Sequence, residues 1–130
     1  MRLLLDTHVL LALLKPNPPL RQAYKDLLSD ERSELLVSVA SLWEIAIKVR
    51  TGKLNLDVPI ASLPEHLLAW NCRLVEIRAD QVLTELETWP ETQDPFDRLL
   101  LAIAEVECCA LVTWDKDLLP HPLAWRPGSA

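Results

Sequence analysis

Four acidic residues, Asp6, Glu44, Asp97 and Asp115, stand at separated points of the chain, each close to the border of an apolar run. Oxygen donors of this kind suit a hard divalent cation. Mg²⁺ takes oxygen ligands at roughly 2.0–2.1 Å, retains several waters, and is commonly held by a few carboxylates together with a substrate phosphate. Carboxylates gathered without such an ion repel one another, and at least one would take up a proton. The stretch QDPFDRLLLAIA, residues 93–104, adds Asp94 three positions ahead of Asp97, just before an apolar helical run.

Each acid also has an ordinary structural explanation. Ser41 and Glu44 have the spacing of a capping box, in which the serine oxygen accepts from the third helical amide and the glutamate reaches back. Asp94, Pro95 and Asp97 read as an N-cap, a proline at the first helical position and an acid favoured by the helix dipole. Asp6 and Asp115 stand where buried strands emerge. What the ordinary reading leaves unexplained is their common placement.

The elements that would position them follow from hydrophobic periodicity. Arg2 to Leu5, Leu35 to Val39, Leu74 to Ile77 and Ala110 to Trp114 are short apolar runs expected to be strands. Between them, Leu10 to Leu14, Leu20 to Leu28, Ser41 to Lys53, Ser62 to Trp70, Ala79 to Trp89 and the run from Leu99 to Val106 carry apolar residues at helical spacing. Val82, Leu83 and Leu86 form one such face, Ser62 with Glu65 suggests a cap, and the tail from Pro120 looks loosely structured. Alternating strands and helices predict an α/β domain over residues 1–130, with a mainly parallel sheet flanked by helices. Strand carboxyl ends and the amino ends of the following helices share one edge of such a sheet, where these folds build their sites. Asp6, Glu44, Asp97 and Asp115 all map to that edge.

Composition narrows the function. A chain of 130 residues, half of them hydrophobic, suffices for one core. Its net charge of −6 argues against a broad basic nucleic-acid surface, so a phosphodiester would have to be bound through a cation. With two glycines, Gly52 and Gly128, no glycine-rich phosphate loop can be written. Cys72, Cys108 and Cys109 form no CxxC pair, and no His or Cys stands at zinc spacing. Neither a signal peptide nor a membrane span is expected, and a cytoplasmic location fits the cysteine usage.

On LLLDTHVLLALL, SVASLWEIAIKVRTGKL, DPFDRLLLAIA and ALVTWDKDL, the chain resembles the PIN-domain (PilT N-terminus) ribonucleases, in particular the VapC-type toxins of bacterial toxin-antitoxin pairs. The four motifs occur in the family's order across nearly the whole chain. The resemblance implies a PIN-like three-layer sandwich and metal-dependent cleavage of RNA, with Asp6, Glu44, Asp97 and Asp115 as catalytic ligands of Mg²⁺ or Mn²⁺. Asp94 matches a recurrent acid of the third motif and is expected to cap the helix or support the ligands, and Ser41 and Thr113 fall where small hydroxyls accompany the site. It further implies a cognate antitoxin that offers a basic side chain to the acids, and a homodimer. Lys48, Arg50, Lys53 and Arg98 are candidates for steering the RNA backbone. Thr92 and Gln93 stand where relatives often carry His and Arg, which touches substrate choice and not metal binding. The competing readings are a catalytically silent PIN-like binding module and a Mg²⁺-dependent phosphatase or receiver-like domain; Glu44 and the DPFDR stretch have no role in the latter.

Overall fold

A computed structural model describes residues 1–87 and 92–128 of the chain. In chain order the elements are β1 (Arg2–Leu5), α1 (Thr7–Leu13), α2 (Gln22–Ser29), β2 (Glu34–Ser38), α3 (Val39–Arg50), α4 (Leu63–Ala69), β3 (Cys72–Val75), α5 (Ala79–Glu85), α6 (Pro95–Val106) and β4 (Ala110–Val112). A 3-10 turn, Ile60–Ser62, precedes α4. The four strands form one sheet in the order β3-β2-β1-β4, every pairing parallel.

Three layers result from the strands' alternation. Leu3, Leu5, Leu35 and Val37 point to one face and pack with Val9, Leu10, Tyr24, Leu63 and Leu67 from α1, α2 and α4. Leu4, Leu36 and Leu111 point to the other, against Leu100, Leu101, Ile103 and Ala104 of α6. Because both faces are covered, the strands are continuous apolar runs rather than alternating ones. Leu3, Leu4 and Leu5 are all fully buried, each contributing roughly 1.5–3 kcal/mol of transfer free energy.

Strand order fixes where a site can lie. The chain runs outward from β1 to β2 and β3, then crosses back to place β4 on the opposite side of β1. The direction of winding reverses between β1 and β4, and crevices form at such switch points beyond the strand carboxyl ends.

Several expectations are corrected. Val39 begins α3 instead of ending β2, and β3 lies two residues earlier than the apolar run suggested. The Ser62 hydroxyl donates to the Pro59 carbonyl at 2.6 Å and does not cap α4. Helix α5 buries Gln81, held by the Arg78 amide and by Glu107, and leaves Val82, Leu83 and Leu86 exposed. The helix ends at Glu85, short of the expected Trp89, which with Pro90 lies outside the described residues. Residues 121–125 pack against the domain: Leu111 and Trp125 pair through the backbone, Ala124 bridges to Leu111, and the Trp125 ring meets Tyr24 edge-on at 5.2 Å.

Candidate active site

Asp6 is the first residue beyond β1 and the N-cap of α1, and its amide donates to the Val112 carbonyl at 3.0 Å. The end of β1 is thereby zipped to the end of β4. Its carboxylate is almost fully buried and accepts from the Thr113 hydroxyl at 2.7 Å. A buried charge without partners is costly, so this contact holds the side chain in place as well as satisfying it. Thr113 Oγ1 also receives the Asp115 amide at 3.1 Å, and the Thr113 carbonyl receives the Tyr24 hydroxyl at 3.0 Å. Thr113 therefore ties Asp6 and Asp115 to a common frame. Asp115 in turn closes its own turn, its Oδ1 accepting from the Asp117 amide at 2.8 Å.

Glu44 comes from α3. That helix is capped by Ser38, whose hydroxyl accepts from the Ala40 amide, so Ser41 and Glu44 lie in its interior. The capping-box explanation of the pair is thereby excluded. Glu44 is 6% exposed, and its two oxygens are held differently: Oε1 by the Thr7 hydroxyl at 2.8 Å, Oε2 by the Lys48 ammonium at 2.7 Å. Thr7 Oγ1 also lies 3.0 Å from the buried Ser41 Oγ. Having a single proton, Thr7 gives it to the stronger acceptor, the carboxylate.

The DPF turn supplies the fourth acid. Asp94 Oδ1 accepts from the Phe96 and Asp97 amides at 2.9 and 3.0 Å, the N-cap that the sequence suggests, with Pro95 at the first helical position. Capping leaves Asp97 in the first turn with its half-buried carboxyl raised to about 7, first by burial and then by the charges of Asp6, Asp94, Asp115 and Glu44. Asp97 thus feels the charges of the other three acids singled out in the sequence, as well as that of Asp94.

Two cations answer that field. Lys48 is raised, chiefly by its bond to Glu44 and further by Asp94 and Asp97. His8, with Nδ1 at 4.0 Å from Asp6 Oδ2, is raised mainly by Asp6. Neither Thr7 nor His8 stood out in the sequence as a site residue; Thr7 immediately follows the first acid in the motif LLLDTH, the one signal that points to it. Arg98, by contrast, is not available to steer a ligand. Its guanidinium holds the Glu85 carboxylate and the carbonyls of Thr92 and Glu85, joining α6 to the end of α5.

Among the described residues no group of three or more His, Cys, Asp or Glu side chains already stands at coordination spacing. The donor set nevertheless fits a hard cation and not zinc, because all donors are carboxylate or hydroxyl oxygens. Burial is the main cause of the raised Asp97 carboxyl, and the neighbouring carboxylate charges that add to it are what such an ion would offset.

A profile of the PIN domain matches residues 3–121. No curated protein sequence matches the chain significantly. Similar solved structures include VapBC2 of Rickettsia felis bound to a DNA fragment from its promoter, with TM-score 0.69 and 17% identity over 95% of this chain and 96% of that one. A toxin-antitoxin complex from Klebsiella pneumoniae gives 0.62 and 18%, covering 98% of each chain. VapC20 of Mycobacterium tuberculosis, a sarcin-ricin loop cleaving toxin, gives 0.64 and 17%, covering 91% and 93%. At these identities the likeness establishes the fold.

Proposed function

Because the chain belongs to the PIN domain family, we propose that it is a metal-dependent endoribonuclease and the toxin of a toxin-antitoxin pair. The arrangement that supports this reading is Thr113 bonded to both the Asp6 carboxylate and the Asp115 amide at the switch point of the sheet, with Glu44 buried against Thr7 and the half-buried Asp97 raised to about 7 by burial and then by the charges of the other acids. Asp6, Glu44, Asp97 and Asp115 would hold Mg²⁺ or Mn²⁺. When bound, such an ion supplies an activated water and offsets charge on the phosphodiester.

The protein's own part is positional. Thr113 holds Asp6, Thr7 holds Glu44 with Ser41 behind it, and Asp94 fixes the turn that presents Asp97. Asp97, raised to about 7, would lose its proton to solvent on serving as a ligand. Water would attack phosphorus and lose one proton to solvent, the bond from phosphorus to the leaving ribose oxygen would break, and that oxygen would take a proton from solvent. No side-chain nucleophile is needed, since the hydroxyls of Thr7 and Thr113 are spent holding carboxylates.

An antitoxin with a basic side chain is the natural protein ligand of this edge, since guanidinium and carboxylate pair through two parallel bonds. The complexes from Rickettsia felis and Klebsiella pneumoniae support an antitoxin partner. A homodimer has its candidate face in a groove of about 580 Å³ lined by the exposed Trp43 and Val82 with Ile47, Ile77, Phe96 and Leu99, while Leu83 and Leu86 lie exposed on and just after α5. Contiguous apolar surface of this kind marks protein contacts. No helix among the described residues is long and apolar enough to cross a membrane. We assign the pair to the cytoplasm, where RNA is met and the free thiols of Cys72, Cys108 and Cys109 persist.

Cleavage of a mixed-sequence RNA with Mg²⁺ or Mn²⁺, compared with EDTA and with Asp97→Asn, tests the reading. Cleavage should require both the cation and the Asp97 carboxylate. Full activity in a folded Asp97→Asn variant refutes the assignment, and inactivity of the wild type with either ion favours the silent binding module.

A further inference from the structure

Lys48 sits one helical turn beyond Glu44, its ammonium 2.7 Å from Glu44 Oε2 and its side chain 36% exposed. Glu44 is buried and its other oxygen is already held by Thr7. Oε2 is therefore the atom that Glu44 can still present to an incoming ion, and Lys48 covers it. The charged groups facing Lys48 are Glu44, Asp94 and Asp97, with His8 as the nearby cation. Arg98 is committed to Glu85 and two carbonyls, while Arg50 and Lys53 are exposed on the far part of α3 and its following turn.

We propose that Lys48 is the resident counter-ion of the acidic site, displaced from Glu44 by the divalent cation and thereby freed to bind a non-bridging oxygen of the RNA phosphodiester. An ammonium and a divalent ion on the same carboxylate oxygen repel strongly at contact distance, so one excludes the other. The lysine stem has four carbons and rotates freely, and its partly exposed head can swing without disturbing α3. A phosphate held by the cation arrives within that arc. Metal binding would in this way arm the substrate clamp, and RNA would bind poorly before the metal does. This inference rests on the nuclease reading above.

The test compares wild type, Lys48→Met and Lys48→Arg by Mn²⁺ titration without RNA, and by binding of a labelled single-stranded RNA of mixed sequence to each protein with Ca²⁺ in place of Mn²⁺ and without divalent ion. Lys48→Met should bind Mn²⁺ several-fold more tightly, because a competitor is gone, whereas Lys48→Arg should stay close to wild type. With divalent ion present, RNA affinity should fall roughly tenfold in Lys48→Met, and the slope of log affinity against log salt should become shallower by about 0.7, the value for one lost single-strand phosphate contact. Lys48→Arg should recover most of that affinity and slope. Packing alone would move neither the salt slope nor the Mn²⁺ affinity in these directions. Equal Mn²⁺ affinity in wild type and Lys48→Met, or an unchanged salt slope, overturns the clamp and leaves the nuclease reading intact. A wild type that binds no Mn²⁺ overturns both.

Discussion

Thr113 donates its hydroxyl proton to Asp6 Oδ2 at 2.7 Å, joining the residue that ends the first strand to one 107 positions later. Thr113 Oγ1 also receives the Asp115 amide, so a single side chain ties two of the four acids to one frame. Thr113→Val keeps the volume and β-branching but removes both bonds from a fully buried position. The loss should cost about 1–3 kcal/mol, the penalty for leaving a buried charge short of a donor. It should also lower divalent-ion affinity by roughly 10–100-fold, as losing an orienting partner does at metal sites. Urea unfolding with and without Mg²⁺, alongside a Mn²⁺ titration, measures both; a variant with wild-type metal affinity would show that Asp6 needs no such support.

Asp94 and Asp97 separate by role. Asp94 is exposed and spends Oδ1 on two backbone amides, while Asp97 is half-buried among other carboxylates. Asp94→Asn, which can still cap, should leave stability within about 0.5 kcal/mol of wild type, whereas Asp94→Ala should lose roughly 0.5–2 kcal/mol. Both should retain Mn²⁺ binding. Loss of Mn²⁺ binding in the well-folded asparagine variant would make Asp94 a ligand.

How far these roles were legible depends on the kind of contact. Asp6, Asp97 and Asp115 stand at junctions where an apolar run meets a turn, so their common edge follows from chain order and the parallel topology. The Asp94 cap is a local pattern and reads directly. Glu44 with Lys48 is an i, i+4 pair, yet spacing alone does not distinguish a solvated surface pair from one turned into a site. Thr7 to Glu44 spans 37 positions and Thr113 to Asp6 spans 107, and no local periodicity encodes such contacts. Helix α5 misled for another reason: its apolar stripe is real, but buried Gln81 faces the core through hydrogen bonds, and the stripe faces outward.

That outward stripe predicts an assembly. Leu83 is 65% exposed and Leu86 74% exposed, so a glutamate at either position disturbs no core packing within one protomer. Surface substitutions of this type change folding stability by at most about 0.5 kcal/mol. Leu83→Glu should therefore melt like wild type at low concentration while shifting the species seen by light scattering from dimer to monomer. A wild-type protein that is monomeric at all accessible concentrations would remove the homodimer.

The raised Asp97 carboxyl makes the metal-free fold respond to pH in a defined sense. In the unfolded chain it titrates near 3.8, and in the fold at about 7. Between those values the unfolded chain has released the proton while the folded protein still holds it, so stability falls as pH rises through this window and levels off above it. One proton gives at most about 1.4 kcal/mol per pH unit, reduced here because the group is only half-buried. In EDTA, Tm should drop from pH 5 to pH 8 more in wild type than in Asp97→Asn, which carries no titrating group there. Saturating Mg²⁺ should reverse the sign, since binding favours the deprotonated carboxyl and stabilises the fold most at high pH. Parallel Tm profiles for the two proteins in EDTA would mean that Asp97 does not feel the other acids, and the site would lose its argument for a cation.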